Sequence, residues 1–151
     1  MSYNDLRKGR FSESGQEYLI TAVTHNRSPL FNDFHCARLL TNTLKNSEHH
    51  HNCQWLCWVI MPDHFHGILR LNNFPPNDIS KIMKFVKGQS SRMINDHLDR
   101  SGSLWQTGFH DHALRKEEDR LNIARYIVAN PLRAGLVKKL SDWPHWDSVW
   151  L

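Results

Sequence analysis

Residues 55–71 read WLCWVIMPDHFHGILRL. Two apolar runs flank Pro62 and Asp63, residue types that interrupt an extended chain and start a tight turn. The first run is almost continuously apolar, the pattern of a strand covered on both faces. The second, 64–71, resumes the extended pattern after the turn, so the stretch predicts a β-hairpin. Within that second strand His64 and His66 are two residues apart. Period-two geometry sends both imidazoles to one face with Cα atoms roughly 6.6 Å apart, and turns Phe65 the other way into apolar packing.

Upstream, residues 16–25 (QEYLITAVTH) are rich in β-branched and aromatic side chains and read as a strand. A loop with Pro29 follows. Asp33 is placed to cap a helix reaching about residue 46, with Phe34, Ala37, Leu40 and Leu44 along one face. The polar run at 47–52, with His49, His50 and His51, reads as an exposed loop. Downstream, a Pro-Pro pair within 74–77 breaks the chain before a helix over 78–98, whose apolar side is Ile79, Ile82, Met83, Val86, Met93 and Ile94. Residues 104–114 (LWQTGFHDHAL) resemble a last strand. Glu117, Glu118 and Asp119 suit the first turn of a further helix that runs to Asn130, where Pro131 ends or restarts it.

The order strand, helix, strand, strand, helix, strand describes a ferredoxin-like α+β sandwich. Its sheet is a four-stranded antiparallel one (βαββαβ) with helices on one face, and the added C-terminal helix carries Tyr126. Residues 1–15 read as a flexible leader and 16–151 as a single domain. The Trp-rich tail, SDWPHWDSVWL, is left with two roles, cover for a site or cover for a sheet edge.

Length and composition agree with this. The chain has 151 residues, 40% of them hydrophobic and 23% charged, enough for one real core and too apolar for disorder. No apolar run is long enough to span a bilayer, and no apolar segment follows the basic N-terminal residues, so a cytoplasmic location without membrane attachment is expected. Cys36, Cys53 and Cys57 are an odd set and read as buried, inert thiols; the even spacing of Cys53 and Cys57 along the strand puts them on one face. A net charge of +4 is compatible with a nucleic-acid partner but does not identify one.

The chemistry centres on two groups. His64 and His66 either share a metal ion, one ligand short of a full set, or are half-exposed strand histidines. Asn122, Tyr126 and Asn130 recur every four residues on a polar stripe, distinct from the apolar side set by Leu121, Ala124, Ile127 and Val128. A tyrosine and an amide one turn apart can serve one site, Asn130 as a third ligand and Tyr126 as a nucleophile. Equally, Asn130 can cap the following turn and Tyr126 can bridge core and solvent.

The segments MPDHFHGILRL (61–71), LWQTGFHDHALR (104–115) and YIVANPLRAGLV (126–137), supported by TAVTHNR (21–27) and KGQSSRMIN (87–95), together resemble the tyrosine transposases of the HUH nuclease superfamily, most closely its REP-associated bacterial branch. The resemblance runs from about residue 16 to the tail. It implies that His64 and His66 are the histidine pair, Tyr126 the nucleophile and Asn130 the third ligand, often Gln in relatives; Asp63 stands where many members have Asn. It implies a metal-dependent endonuclease and strand transferase acting on single-stranded, hairpin-forming DNA through a 5′-phosphotyrosine link. Mg²⁺ or Mn²⁺ is the expected ion, no nucleotide cofactor is needed, and a monomer is favoured over a homodimer. In a bacterial cell the protein would be nucleoid-associated when bound to DNA. Candidate DNA contacts are Lys81, Lys84, Lys87, Arg92, Trp105 and Arg133, each also readable as solvated surface or core; Lys138 and Lys139 are weaker candidates. His25, which strand order brings near His64, is a neighbour supporting the metal site or a structural residue. Two other readings stand beside the transposase: a DNA-hairpin binder that does not turn over, and a metal phosphodiesterase that uses water as nucleophile.

Overall fold

The computed structural model describes residues 15–72 and 78–151. The expected leader, Gly15 apart, and the Pro-Pro break both lie outside the described residues. In chain order the elements are β1 (Glu17–Val23), α1 (Phe34–His50), β2 (Cys53–Met61), β3 (His64–Leu71), α2 (Ile79–Leu98), β4 (His110–Ala113), α3 (Arg120–Val128), the single turn α4 (Asn130–Arg133) and β5 (Trp146–Ser148). The sheet order is β4-β1-β3-β2-β5, antiparallel throughout. Its first four strands are the ferredoxin-like core expected from the sequence, and the fifth comes from the tail. Trp146–Ser148 pairs with β2, and the Trp143 indole donates to Ile60 O at 3.1 Å. The tail therefore closes a sheet edge, which would otherwise present unpaired backbone groups.

Both long helices begin at aspartate caps, Asp33 as expected from the sequence and Asp78 in addition. Asp33 accepts from Cys36 N and Asp78 from Ser80 N. Helix α1 runs further than expected and absorbs His49 and His50 into its last turn. They are not in a loop. The helix continues into the polar run because Ser47, one turn beyond Thr43 and Leu44, still falls on the covered side. The last strand is shorter than expected: within 104–114 only His110–Ala113 pairs regularly, and Trp105 makes one isolated bridge to Thr24.

The sheet is covered on both faces, not on one. Tyr18, Ile20, Ala22, Phe65, Leu69 and Leu71 face α1 and α2, while Leu56, Cys57, Val59, Met61 and Ile68 face Ala124, Ile127 and Val128 of α3. A bulge in β2 between Trp55 and Cys57 reverses the alternation there. Cys53 thus falls in the first core and Cys57 in the second, not together on one face. All three cysteines are free and buried, and burial pushes their thiols up, to about 12 for Cys53 and about 11 for Cys36 and Cys57.

Gly67 sits opposite that bulge. A Cβ there would meet Cys57 O at 2.6 Å and the Trp58 Cβ at 3.1 Å, and the first of these is backbone that does not yield cheaply. Gly67→Ala is expected to destabilise the fold by about 1–3 kcal/mol, as overpacking does, read as a lower urea midpoint.

Candidate active site on the second face of the sheet

His64 and His66 occupy β3, opposite Val23 and Thr21 of β1 and opposite Met61 and Val59 of β2. This puts them on the face that α3 partly covers. Each imidazole is held through Nδ1. His64 Nδ1 donates to Asp63 Oδ1 at 2.7 Å, and His66 Nδ1 is hydrogen-bonded to Thr21 Oγ1 at 2.5 Å. Both Nε2 atoms are thereby the ones left to bind a ligand, the arrangement in which a second partner fixes a metal-binding histidine. Burial, with the neighbouring His64 and Arg133 charges, pushes the His66 pKa down to about 4. The ring is therefore neutral at physiological pH, as a ligand must be.

Asp63 is the organising group that sequence reasoning underrated. It also takes Arg27 Nη1 at 3.0 Å. Burial alone would raise its pKa, but the hydrogen bonds from His64 and Arg27 outweigh that and hold the carboxyl below its ordinary value. Its backbone is clamped as well: Thr24 N and Oγ1 both donate to Asp63 O, and Phe31 N donates to Pro62 O. An acidic residue directly before the first histidine, in a two-residue turn, was the available signal. His25 follows β1 at this same end of the sheet. Its backbone N–H donates to Leu104 O and its side chain is exposed.

The tyrosine lies on α3, capped by Asp119. Tyr126 is 63% exposed, and the Arg133 guanidinium lies 3.6 Å from its ring centroid. Arg133 also donates to Asn130 Oδ1 at 2.9 Å, while Asn130 Nδ2 donates to Ile127 O. Pro131 does interrupt the helix: α3 stops at Val128, and Asn130 opens the separate turn α4. Tyr126, Asn130 and Arg133 thus form one cluster. Its nearness to the histidines is felt through the Arg133 charge at His66. Among the described residues no hydrogen bond or ring contact joins Tyr126 to either histidine.

Two proposed DNA contacts are corrected. Trp105 is 6% exposed, packs on Phe31 and Phe65, and donates its indole N–H to Ser90 Oγ. It is core, not a stacking platform. The Lys87 amine donates to Gln106 O and Gly108 O, pinning the loop before β4 to α2. Burial lowers its pKa to about 8. Lys81, Lys84 and Arg92 are exposed on α2, behind the other face of the sheet.

The fold is shared with tyrosine transposases. The chain belongs to the family described as "Transposase IS200 like", whose model matches residues 12–130. A REP-associated tyrosine transposase of Escherichia coli is 34% identical over 87 residues, 58% of this chain and 49% of that protein. A Haemophilus influenzae protein named for the same group is 27% identical over 147 residues, 87% of this chain and 78% of that one. The solved structure of a REP-associated tyrosine transposase bound to a REP hairpin superposes with a TM-score of 0.75 at 26% identity, covering 91% of this chain and 79% of that one. The membership makes the chain a DNA-cleaving and -joining enzyme by class, as the sequence suggested. No helix among the described residues is long and apolar enough to cross a membrane.

Two outcomes test the roles given to Asp63 and Lys87. Asp63→Ala is expected to weaken divalent-ion binding at the histidine pair by roughly 10–100-fold by calorimetry, the usual cost of losing such a partner. For Lys87, the unfolded chain holds a proton that the folded chain lacks between about pH 8 and the ordinary lysine value of 10.5. Its contribution to stability therefore rises with pH across that window, and Lys87→Met should flatten that rise in thermal melts run from pH 7.5 to 10.

Proposed function

We propose that the protein is a metal-dependent single-stranded DNA endonuclease and strand transferase for hairpin-forming, REP-like repeats, with Tyr126 as nucleophile. The observation that carries the reading is the histidine pair itself: two imidazoles on one sheet face, each fixed through Nδ1 and each with Nε2 left over. A DNA-binding module has no use for that arrangement. His64, His66 and Asn130 would hold the ion, nitrogen and oxygen donors with open positions that suit Mg²⁺ or Mn²⁺. Asn130 Oδ1 keeps a second lone pair beyond the bond from Arg133. When bound, the ion polarises the scissile phosphate and offsets charge developing on its oxygens.

The chain's own groups do the rest. The phenol oxygen of Tyr126 attacks phosphorus and loses its proton, the 3′ oxygen leaves as a hydroxyl, and a 5′-phosphotyrosine remains. Because the link conserves the phosphodiester, that hydroxyl can later attack it and rejoin strands without a nucleotide cofactor. Arg133, already on the Tyr126 ring, is placed to exchange that contact for a phosphate oxygen. A 430 Å³ groove along Lys81 and Lys84 shares Gly108 and Phe109 with a 220 Å³ pocket at Thr21, Gln106 and His110. These cavities supply a basic path round the β4 edge toward His66, which suits a single strand better than a rigid duplex. The relatives named above and the hairpin-bound neighbour support REP-like DNA as substrate. Helix α3 docks on its own sheet, with Cys57 Sγ bonded to Ala124 O, which supports action as a monomer.

Incubation with labelled single-stranded hairpin DNA and Mg²⁺ or Mn²⁺ should give a denaturation-resistant protein–DNA adduct. Tyr126→Phe should remove the adduct together with cleavage. His64→Ala should remove cleavage and leave most DNA affinity, which rests on phosphate contacts. Cleavage surviving in Tyr126→Phe would show water to be the nucleophile.

A further inference from the structure

A second set of metal-ligand side chains stands apart from the histidine pair, at the helical layer on the opposite face. Asp33 caps α1, Cys36 lies in its first turn, and His97 lies in the last turn of α2. One donor atom from each falls within 4.8 Å of the other two. We infer that Asp33, Cys36 and His97 form a binding site for a borderline-soft divalent ion of the Zn²⁺ or Co²⁺ class.

The geometry is close to what such an ion needs. Bonds of about 2.0–2.3 Å in a tetrahedral site leave ligand atoms roughly 3.4–3.8 Å apart. Asp33 Oδ2 and His97 Nε2 are already 3.4 Å apart, so contraction of about an ångström closes the set. The donors differ from those of the catalytic face. A thiolate, an imidazole and a carboxylate select a softer ion than Mg²⁺, and two negative ligands would balance its charge. Asp33 is held ionised, chiefly by the backbone N–H of Cys36. Cys36 is fully covered, while Asp33 and His97 keep 41% and 33% of their side chains exposed, which leaves an entry path over the thiol. Burial and the nearby Asp33 hold the thiol protonated in the ion's absence, so binding releases that proton; the Arg100 charge favours the thiolate. The fourth position falls to water. His35, stacked on His97 at 4.2 Å, shields one side.

A bound ion would tie the start of α1 to the end of α2. The link bears on the histidine pair as well, because the residue just before this segment, Phe31, is bonded to the hairpin turn at Pro62.

Cobalt titration of the full chain reads the site directly, since a thiolate-to-cobalt charge-transfer band requires a cysteine ligand. The expected result is such a band at one ion per chain, retained when His64 and His66 are both replaced by Ala and lost in Cys36→Ser and in His97→Gln. The latter changes a part-exposed side chain, and its fold is checked by circular dichroism. In the His64→Ala/His66→Ala background, Zn²⁺ at a hundredfold excess over its Kd should raise Tm by roughly 5–10 °C, and His97→Gln should abolish the rise. No charge-transfer band in the wild type would overturn the inference. So would a band surviving Cys36→Ser or a folded His97→Gln, or one that disappears with the two catalytic-face histidines.

Discussion

The alternation of β3 is the constraint on which the rest depends. His64 and His66 share one face with Ile68, while Phe65 and Leu69 share the other. A slip of one residue would send both imidazoles into the core under α1 and α2 and expose Phe65, a register the hydrophobic term strongly rejects. The register is held from both sides, by seven pairs with β1 and by β2 across the bulge. The same packing that stabilises the protein thus fixes where a metal could sit.

The layer beneath that face is built for rigidity. Buried serines on the two long helices, Ser47 and Ser90, accept the indole N–H groups of Trp55 and Trp105. Each hydroxyl also bonds a carbonyl of its own helix, so neither polar group is left without a partner. Phe65, directly behind the histidines, packs edge-on against both tryptophans. A metal site gains most from supporting side chains that do not move, and the turn at Asp63 meets that need through three backbone acceptor contacts.

Much of this was legible in the sequence because it rests on period and punctuation. The hairpin, its turn, the Asp33 cap and the order of the first four strands follow from local pattern. What local pattern missed has a common physical cause. The bulge at Trp55/Cys57 inserts one residue into an otherwise uniform apolar run, where no alternation marks the change of face. Lys87 and Trp105 bear the residue types of a nucleic-acid surface, and only tertiary contact shows that one tethers a loop and the other fills the core. Residues 104–109 look strand-like by composition, yet Gly108 at φ 83° and the Lys87 tether turn the chain before β4 begins. The tail, ambiguous alone, became an edge strand because β2 offered an unpaired edge. Thr21 and Arg133 act on His66 from positions distant in the chain, and no spacing rule announces them.

The two helical layers differ in how firmly they are held, and the difference matches their chemistry. Helix α2 buries six residues over its length, whereas α3 buries only Ala124, Ile127 and Val128. A short helix with so small a buried face is the kind of element that moves at low cost. Its tyrosine is secured on the exposed side by a single cation–π contact, worth about 0.5–1 kcal/mol in water. A phosphate arriving at Arg133 offers a charge-assisted bond that can exceed that contact. The resting position of Tyr126, outward and stacked under Arg133, is therefore compatible with a nucleophile released by its own substrate, while the histidines wait on a strand that does not move.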